Sequence, residues 1–452
     1  MSPNVLNKNQ EVLLTIKRTG INGEGIGYYK RLAVFVPFTI PGEEVVVRMT
    51  EIKDQYAKGK IVKIKTPSPS RIEPPCKYYE QCGGCQLLHV NYEEQGKMKK
   101  QIVEESFARY YNGTLNEKLF KDTINPWHYR NKAKLPVRYD GEKLVTGLYA
   151  FDTNKLVYIE DCLVEREDIR SKVKEICEFL TKYQVIAYNP KSKDGILRHI
   201  VIRSSSLTKD IQVTLILFKH DQRTINIAKD LIKLENIKSV YISINDDPDA
   251  IENFGLETFK VAGIDAIVEK LGPYKFSLLP TAFFQLNCEQ TEKLYTHIVK
   301  VAHLHGEENV VDAFCGVGTI GIWLSKYVKE VRGIDINKEG IKSAIQNAQL
   351  NEIPNARFYT GDILTCLTKW RKEGFIPDVL VVDPPRTGLD LRLLNYLQQF
   401  PVSRIVYVSC NPATLAKNCN HLQKKYHILQ IQPLDMFPQT CNVECVVCLE
   451  RR

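Results

Sequence analysis

The stretch Asn309-Val-Val-Asp-Ala-Phe-Cys-Gly-Val-Gly-Thr-Ile-Gly321 begins as a short apolar strand and continues as a glycine-rich turn into a helix. Glycines at Gly316 and Gly318 let the backbone approach a ligand closely. Between residues 308 and 452, strand patterns alternate with helix patterns, which is typical of a doubly wound α/β sheet. We therefore predict a domain of this class that binds its ligand at the carboxyl ends of the strands.

Acidic residues end the three strands predicted after this turn, at Asp335, Asp362 and Asp383. Asp335 follows Gly318 by seventeen residues, where a carboxylate can accept both hydroxyls of an adenosine ribose, and Asp362 is suited to the adenine amine. Asp-Pro-Pro also occurs in amino-directed methyltransferases, but there an aromatic residue follows to stack the base, whereas Arg386 follows here. A lone Gly-x-Gly also fits a dinucleotide binder. The order of glycine loop, acid, acid and Asp-Pro-Pro predicts S-adenosylmethionine instead.

A further strand end carries a thiol, in Arg404-Ile-Val-Tyr-Val-Ser-Cys-Asn-Pro-Ala-Thr414. The five residues before Cys410 form a buried-strand pattern, and Asn411-Pro412 turns the chain away, so the thiol lies where the strand ends. A free cysteine by itself more often packs as a small hydrophobic residue. Glu444, however, interrupts the final apolar strand, where a carboxylate is costly unless it is paired or functional.

Together, Cys410 and Glu444 indicate covalent C5 methylation of a pyrimidine. Uracil C5 is too weak a nucleophile to attack a sulfonium directly, whereas thiolate addition at C6 makes C5 enolate-like. After methyl transfer, a base removes the C5 proton so that the thiol leaves. We expect Cys410 to be the nucleophile, Glu444 the base, and Asp383 to orient the substrate or cofactor edge. The target base has to leave its stack to reach such a site.

The bulk composition is that of a globular protein: 452 residues, 44% hydrophobic and 25% charged, enough for about two to four domains. No run approaches the roughly eighteen apolar residues of a membrane span, and residues 1–10 are polar, so we expect a cytoplasmic protein with no membrane partner. Thirteen cysteines, an odd number, predict thiols, metal ligands or nucleophiles rather than disulfides. The net charge of +9 permits a nucleic-acid partner without requiring one.

Four short period-two strands, at residues 11–16, 32–36, 44–48 and 59–64, alternate with glycine and proline turns, which predicts a small antiparallel barrel. Gly23-Glu-Gly-Ile-Gly27 is read as one of the turns. Basic residues around the strands suit either a solvated surface or RNA binding. The pattern resembles the TRAM domain, an oligonucleotide-binding-like (OB-like) barrel attached to RNA-modifying enzymes. We therefore expect such a barrel over residues 1–66, ending in the linker Thr66-Pro-Ser-Pro-Ser-Arg71.

The loop Pro75-Cys-Lys-Tyr-Tyr-Glu-Gln-Cys-Gly-Gly-Cys85 places Cys76, Cys82 and Cys85 around paired glycines. This spacing indicates ligands of a metal ion or a cluster. A fourth ligand is needed, and Cys162 is the best candidate. Four thiolates satisfy zinc as well as an iron–sulfur cluster, so the residues leave both open.

Cations alternate with aromatic rings in Trp127-His-Tyr-Arg-Asn-Lys-Ala-Lys134. Arg130 and Lys132 in this segment suit RNA phosphates, with the rings placed under unstacked bases. The alternative interpretation is an edge strand kept soluble by its charges.

Five motifs occur in the order found in one enzyme family. They are Phe283-Phe-Gln285, Asp312-x-Phe-Cys-Gly-x-Gly318, Asp383-Pro-Pro-Arg386, Ser409-Cys-Asn-Pro412 and Asp435-Met-Phe-Pro-x-Thr440. With the cysteine loop and the barrel, the chain resembles the bacterial 23S ribosomal RNA uridine-5 methyltransferases over nearly its whole length. Two positions depart from the family pattern: Asn442 stands where His is common, and Asp335 where Glu is frequent.

The resemblance implies a monomer that uses S-adenosylmethionine to methylate a specific uridine of 23S rRNA. It implies a Rossmann-like methyltransferase domain over residues 291–452 and a central α+β RNA-binding domain over residues 67–290. It also assigns a [4Fe-4S] cluster to Cys76, Cys82, Cys85 and Cys162. Since four thiolates leave no open iron, we expect this cluster to have a structural or RNA-binding role.

The resemblance assigns further residues to ligands. Gln285 belongs at the methionine end of S-adenosylmethionine, and Phe314, Gly316 and Gly318 belong to the cofactor loop. Arg130 and Lys132 belong on the RNA side.

Two other functions remain open. One is the same chemistry on transfer RNA, against which the barrel and the cysteine loop weigh. The other is a non-catalytic RNA-binding factor in ribosome assembly, against which the joint presence of Cys410, Asp383 and Glu444 argues.

Overall fold

The computed structural model describes residues 6–111, 113, 125–151, 153, 155–248 and 254–452, so the first five residues of the predicted barrel domain lie outside it. The described residues form a closed barrel, a central seven-stranded sheet and a C-terminal seven-stranded sheet, with one separate hairpin. Among the helices of these described residues, none has both the length and the apolar character of a membrane-spanning segment.

The N-terminal barrel has one strand more than predicted. Its strands are β1 (Glu11–Thr19), β2 (Gly25–Tyr29), β3 (Leu32–Val36), β4 (Glu44–Ile52) and β5 (Tyr56–Thr66), closed in the order β1-β2-β3-β5-β4. The prediction that the segment through Gly27 is a turn was wrong, because its last three residues begin β2. A Cβ on Gly27 would lie 3.0 Å from the carbonyl oxygen of Thr15, so glycine here permits close strand approach. The barrel is also not wholly antiparallel, since β3 and β5 pair in parallel.

The central region follows the cysteine loop. Its elements are α1 (Tyr92–Phe107), β6 (Lys132–Tyr139), β7 (Leu144–Tyr149), β8 (Leu156–Tyr158), α2 (Glu167–Lys182), β9 (Leu197–Ser204), β10 (Ile211–Leu217), α3 (Gln222–Lys229), β11 (Ile237–Ile244) and β12 (Glu257–Gly263). The strand order is β12-β11-β10-β9-β6-β7-β8. Helices α2 and α3 pack on one face, in a core that includes Ile176, Leu180, Ile202, Val213 and Ile225.

A hairpin of β13 (Ile267–Leu271) and β14 (Tyr274–Leu278) leads into α4 (Cys288–Ala302). Phe276 and Leu278 of the hairpin share a hydrophobic core with Val310 and Val381 of the C-terminal sheet. The hairpin therefore packs with the sheet that follows it in the chain.

The C-terminal sheet confirms the predicted doubly wound α/β fold. Its elements are β15 (Asn309–Ala313), α5 (Thr319–Leu324), β16 (Glu330–Asp335), α6 (Lys338–Leu350), β17 (Ala356–Thr360), α7 (Ile363–Lys372), β18 (Val379–Val382), α8 (Leu391–Gln399), β19 (Arg404–Ser409), α9 (Pro412–Leu422), β20 (Tyr426–Leu434) and β21 (Glu444–Arg451). The strand order is β17-β16-β15-β18-β19-β21-β20, and β21 runs antiparallel to both neighbours. The order reverses between β15 and β18, which opens a ligand crevice at their carboxyl ends.

Candidate active site

Strand register brings the predicted nucleophile and the predicted base to the same edge of the sheet. The last residue of β19, Ser409, pairs with Cys445 of the antiparallel strand β21. One step further along this register, Cys410 comes opposite Glu444. Asp383 follows β18, the neighbour of β19 on its other side, and so reaches the same edge.

The Cys410 thiol is half-buried between this edge and the start of α9. Asn411 caps the helix, because its side-chain oxygen accepts the backbone amides of Ala413 at 3.2 Å and Thr414 at 3.4 Å. Burial raises the pKa of the thiol, as do the carboxyls of Glu444 and Asp383, while Arg386 lowers it by charge and hydrogen bonding. A thiol at a helix N-terminus beside a guanidinium has the surroundings of a reactive cysteine.

Glu444 and Asp383 form a buried pair of carboxyl groups. Glu444 is 4% exposed, and burial raises its pKa well above the ordinary value, with a further contribution from Asp383 and an opposing one from Arg386. Burial likewise raises the pKa of Asp383. Two neighbouring carboxyls that cannot both ionise easily can hold and release a proton near neutral pH.

Arg386 is a residue whose place at the site the sequence analysis did not recognise. Its guanidinium Nη2 donates to Asn442 Oδ1 at 3.5 Å, and its backbone carbonyl accepts hydrogen bonds from Asn411 Nδ2 at 3.0 Å and Thr414 Oγ1 at 3.1 Å. Asn442, which replaces the common His, therefore contacts Arg386 through an oxygen that does not titrate. The sequence feature that could have pointed to Arg386 is its position directly after Asp383-Pro-Pro.

The glycine turn and Asp335, the first of the predicted acids, lie in direct contact. Asp335 Oδ2 accepts the backbone amide of Gly316 at 2.9 Å, and Oδ1 accepts that of Asn337 at 2.9 Å. Gly316 has φ 52° and open space where a Cβ would lie, whereas a Cβ on Gly318 would meet Phe358 at 2.9 Å. An open backbone turn bounded by a carboxylate fits the adenosine part of S-adenosylmethionine.

Asp312 is a second residue that the sequence analysis missed as a site candidate. Its Oδ2 accepts the backbone amide of Gly321 at 2.8 Å, while the buried Oδ1 has no hydrogen-bond partner. Burial raises the pKa of Asp312 to about 8. The sequence feature that could have pointed to Asp312 is a carboxylate within the apolar strand Asn309–Ala313.

The other predicted cofactor residues, Asp362, Gln285 and Phe314, are described by their local contacts and backbone geometry. Asp362 caps α7, since its Oδ1 accepts the backbone amide of Thr365 at 3.0 Å. Gln285 is 9% exposed, and its backbone carbonyl accepts a hydrogen bond from Asn131 Nδ2 at 3.0 Å. Phe314 directly precedes the turn and has a left-handed φ of 65°.

A pocket of about 140 Å³ lies over Cys410 and is walled by three parts of the chain. The C-terminal sheet contributes Arg386, Cys410, Asn411, Pro412, Cys441, Asn442 and Val443; α1 contributes Ile102; the barrel contributes Ile21 and Asn22. The barrel residues could not be recognised from sequence, because their closeness to Cys410 arises only from how the barrel docks.

The four predicted cysteine ligands line one cavity. Cys76, Cys82, Cys85 and Cys162 meet there, and all thirteen cysteines of the chain are free thiols. Burial raises the pKa of Cys162 to about 11 and that of Cys85 further. Within the described ranges, no three Cys, His, Asp or Glu side chains are gathered closely enough for a single metal ion.

Arg130 lies in the wall of the same cavity. Its backbone amide donates to the Val164 carbonyl at 3.0 Å, which ties it to the segment after Cys162. Its buried Nε has no hydrogen-bond partner, and its charge lowers the pKa of Cys85. A guanidinium with an unpaired Nε beside four thiols fits an anionic thiolate-bound group.

Lys132, the other RNA candidate, begins β6 outside this cavity. Its ammonium donates to the Pro280 carbonyl at 2.9 Å and lies 5.5 Å from the centre of the Phe254 ring. The structure therefore separates the two predicted RNA contacts, and both assignments stay predictions.

Comparisons with known proteins show the family to which the chain belongs. The family profile described as tRNA (uracil-5-)-methyltransferase matches residues 91–452, and the TRAM domain profile matches residues 6–62. An uncharacterized RNA methyltransferase of Bacillus cereus is 44% identical, covering 99% of this chain and 98% of the relative. A protein of the same description from Listeria monocytogenes is 43% identical, covering 100% and 99%.

The likeness extends to a solved structure. The Pyrococcus abyssi tRNA (uracil-54, C5)-methyltransferase, crystallised with S-adenosyl-L-homocysteine, superimposes with a TM-score of 0.75 at 28% identity. The match covers 96% of this chain and 98% of the archaeal one.

The chain thus belongs to the RNA uracil-5 methyltransferase family and carries an N-terminal TRAM barrel. It is an S-adenosylmethionine-dependent enzyme that methylates C5 of uracil in RNA. Family membership sets aside the non-catalytic assembly factor.

Proposed function

We propose that the substrate is a specific uridine of 23S rRNA and that Cys410 and Glu444 carry out the chemistry. The observation that carries the proposal is the register of β19 and β21, which sets Cys410 opposite Glu444 at the carboxyl edge of the sheet. The pocket above Cys410 then receives the uracil after it leaves its stack.

The reaction begins when the Cys410 thiolate adds to C6 of the uracil, forming an S–C6 bond and pushing electron density onto C5. Arg386 assists by stabilising the thiolate over the thiol. S-adenosylmethionine supplies the methyl group that C5 takes up. Glu444 then removes the proton from C5, the S–C6 bond breaks, and the thiolate returns with its electron pair.

The same proposal assigns the residues that would bind the cofactor. Asp335 holds the ribose hydroxyls beside the open backbone of Gly316, and Asp362 receives the adenine amine with its second oxygen. Phe314 and Gly318 shape the turn, and Gln285 faces the methionine end. Asp383 orients the uracil or cofactor edge next to Cys410.

We propose that a [4Fe-4S] cluster is held by Cys76, Cys82, Cys85 and Cys162. A cluster spans more space than one ion, which suits thiols that line a common cavity without the spacing of a single-ion site. Arg130 compensates the negative charge of the thiolates. The cluster would fix the cysteine loop, and Lys132 would contact RNA beyond it.

The domain limits 1–66, 67–290 and 291–452 and a monomeric state belong to the same proposal. Residues of one chain from the barrel, α1 and the C-terminal sheet wall the Cys410 pocket, so catalysis requires no second copy.

A uridine of transfer RNA is the second candidate substrate. It is favoured by the archaeal structure, whose named substrate is uracil 54 of tRNA and whose likeness extends over 96% of this chain. Since that match includes the region of the barrel, the architecture alone does not weigh against tRNA.

Covalent trapping on fluorinated RNA tests the function and the substrate together. Transcripts of 23S rRNA and tRNA containing 5-fluorouridine are incubated with enzyme and S-adenosylmethionine, and the products are analysed by mass spectrometry. Fluorine at C5 cannot leave as a proton does, so the S–C6 adduct persists. An adduct between Cys410 and a ribosomal fragment is expected. An adduct on tRNA alone would move the assignment to tRNA, and tight binding without any adduct would contradict the covalent mechanism.

A further inference from the structure

The tip of the first barrel hairpin reaches the catalytic pocket. Ile21 and Asn22, between β1 and β2, line the pocket together with Cys410. They occupy the two central positions of a β-turn, in which the Gly23 amide donates to the Gly20 carbonyl at 3.0 Å. The barrel therefore contributes side chains to the wall of the pocket that receives the target base.

The tip is held in a fixed position by its surroundings. Gly23 has φ 85°, and a Cβ there would lie 2.9 Å from Cys441 Cβ and 3.0 Å from Gln86 Cβ, so the turn packs tightly on the pocket wall. At the base of the tip, Arg18 forms an ion pair of 2.5 Å with Glu105 of α1. A side chain carried on this turn has a defined place relative to Cys410.

Ile21 is 47% exposed on this fixed tip. A single exposed apolar residue is ordinary on a protein surface. What distinguishes Ile21 is its place at the mouth of a pocket whose substrate base must leave its stack. Enzymes and architectural proteins that distort nucleic acids commonly insert apolar side chains where stacking is lost. Ile102, the apolar neighbour from α1, is only 3% exposed and cannot reach outward in this way.

We propose that Ile21 is a positioning residue that contacts the nucleotides flanking the target uridine and occupies the space left when that uridine flips into the pocket. This inference rests on the proposed function. The TRAM barrel then acts at the catalytic step, by holding the flipped state of structured RNA, as well as by binding RNA. Ile21 would matter most where the uridine is stacked or paired and least where it is already free.

The test compares Ile21→Ala with Leu13→Ala, a matched control on β1 of the same barrel that is 52% exposed and does not line the pocket. Single-turnover methylation is measured with unmodified 23S rRNA and tRNA transcripts, each folded in Mg²⁺ and unfolded in EDTA. On the transcript that the wild type methylates, Ile21→Ala should lose about tenfold in rate when the RNA is folded and clearly less when it is unfolded. Ile21→Leu should restore the rate, and Leu13→Ala should match the wild type.

Other outcomes separate the two proposals. A wild-type rate for Ile21→Ala on folded RNA, or an equal loss on folded and unfolded RNA, would overturn the role of Ile21 while leaving the proposed function standing. A wild-type enzyme that methylates neither transcript would remove the proposed function and this inference with it. Affinity for S-adenosylmethionine, measured by calorimetry, should be the same in all variants, since none of the proposed cofactor residues lines the pocket with Ile21.

Discussion

Lys99 Nζ lies 2.5 Å from Asp435 Oδ1, and both side chains are fully buried. Lys99 belongs to α1, and Asp435 begins the turn that leads to Glu444. Tyr92 donates to the other oxygen of Asp435 at 2.9 Å, and Lys99 also donates to the Phe437 carbonyl at 3.0 Å. The ion pair thus fastens the helix that follows the cysteine loop to the turn that carries the proposed base.

Lys99→Met should destabilise the protein by about 3–5 kcal/mol, because it leaves the Asp435 charge buried without its cation. Lys97→Met is the control, since Lys97 lies on the same helix with 61% of its side chain exposed and should lose no more than about 1 kcal/mol. Denaturant unfolding measures both. Equal losses in the two variants would contradict the structural role of the buried pair.

Glu444→Gln should accumulate a methylated RNA–protein adduct on unmodified RNA. The amide cannot take the C5 proton, so the S–C6 bond has no path to break. A denaturing gel followed by mass spectrometry of the Cys410 peptide detects the product. Adding Cys410→Ala to the same variant should abolish the adduct. Normal turnover by Glu444→Gln would show that another group is the base.

Arg386→Gln should move the alkylation of Cys410 by iodoacetamide to higher pH, because Arg386 lowers the pKa of this thiol. Peptide mass spectrometry at a series of pH values follows Cys410 separately from the other twelve cysteines. Arg392→Gln, in an arginine with 72% of its side chain exposed on α8, should leave the profile unchanged. An unshifted profile for Arg386→Gln would exclude its role in activating the thiol.

The single-turnover rate should increase with pH through the neutral range. Burial raises the pKa of Asp383 to about 7 and that of Glu444 above its ordinary value, and burial also raises that of Cys410. Cys410 adds to the uracil as a thiolate and Glu444 takes the C5 proton as a carboxylate, so protonation of either group removes activity as the pH falls. A rate that stays flat between pH 6 and 8 would contradict this assignment.

Asp312→Asn should stabilise the protein at alkaline pH. Burial raises the folded-state pKa of Asp312 from 3.8 to about 8. The contribution of the protonated carboxyl to the free energy of unfolding of the wild type is therefore fully present below about pH 3.8 and is lost as the pH rises through 8. The gain of the variant over wild type should therefore grow between about pH 4 and pH 8 and then level off. Urea unfolding at pH 5 and pH 8.5 measures it. A gain that is equal at both pH values would contradict the burial of an uncompensated carboxyl.

Cys82→Ser should abolish solubility or RNA affinity if a cluster fixes the cysteine loop. Cys177→Ser is the control, since this thiol belongs to α2, is buried in the central core and does not line the cysteine cavity. Iron content, solubility and RNA binding are measured together. A Cys82→Ser protein that stays folded and active would refute the structural role of the cluster.

The amino-acid sequence was enough to predict the C-terminal fold, because strand and helix periodicities there agree with the glycine turn and with acids at the strand ends. It also predicted the pairing of Cys410 with Glu444, since each interrupts an apolar pattern in a way that packing alone does not explain. The prediction of the barrel missed strand β2. Gly25 and Gly27 were interpreted as turn residues, whereas in the structure they allow neighbouring segments to pack closely against β2.

Which distant segments share the catalytic pocket depends on the packing of the domains. Ile21 and Asn442 are more than four hundred residues apart, and their meeting depends on how the barrel docks on α1 through Arg18 and Glu105. The tertiary structure likewise places Arg130 in the wall of the cavity that the four cysteines line. Such contacts follow from burial and charge pairing summed over whole surfaces, which no local pattern of residues records.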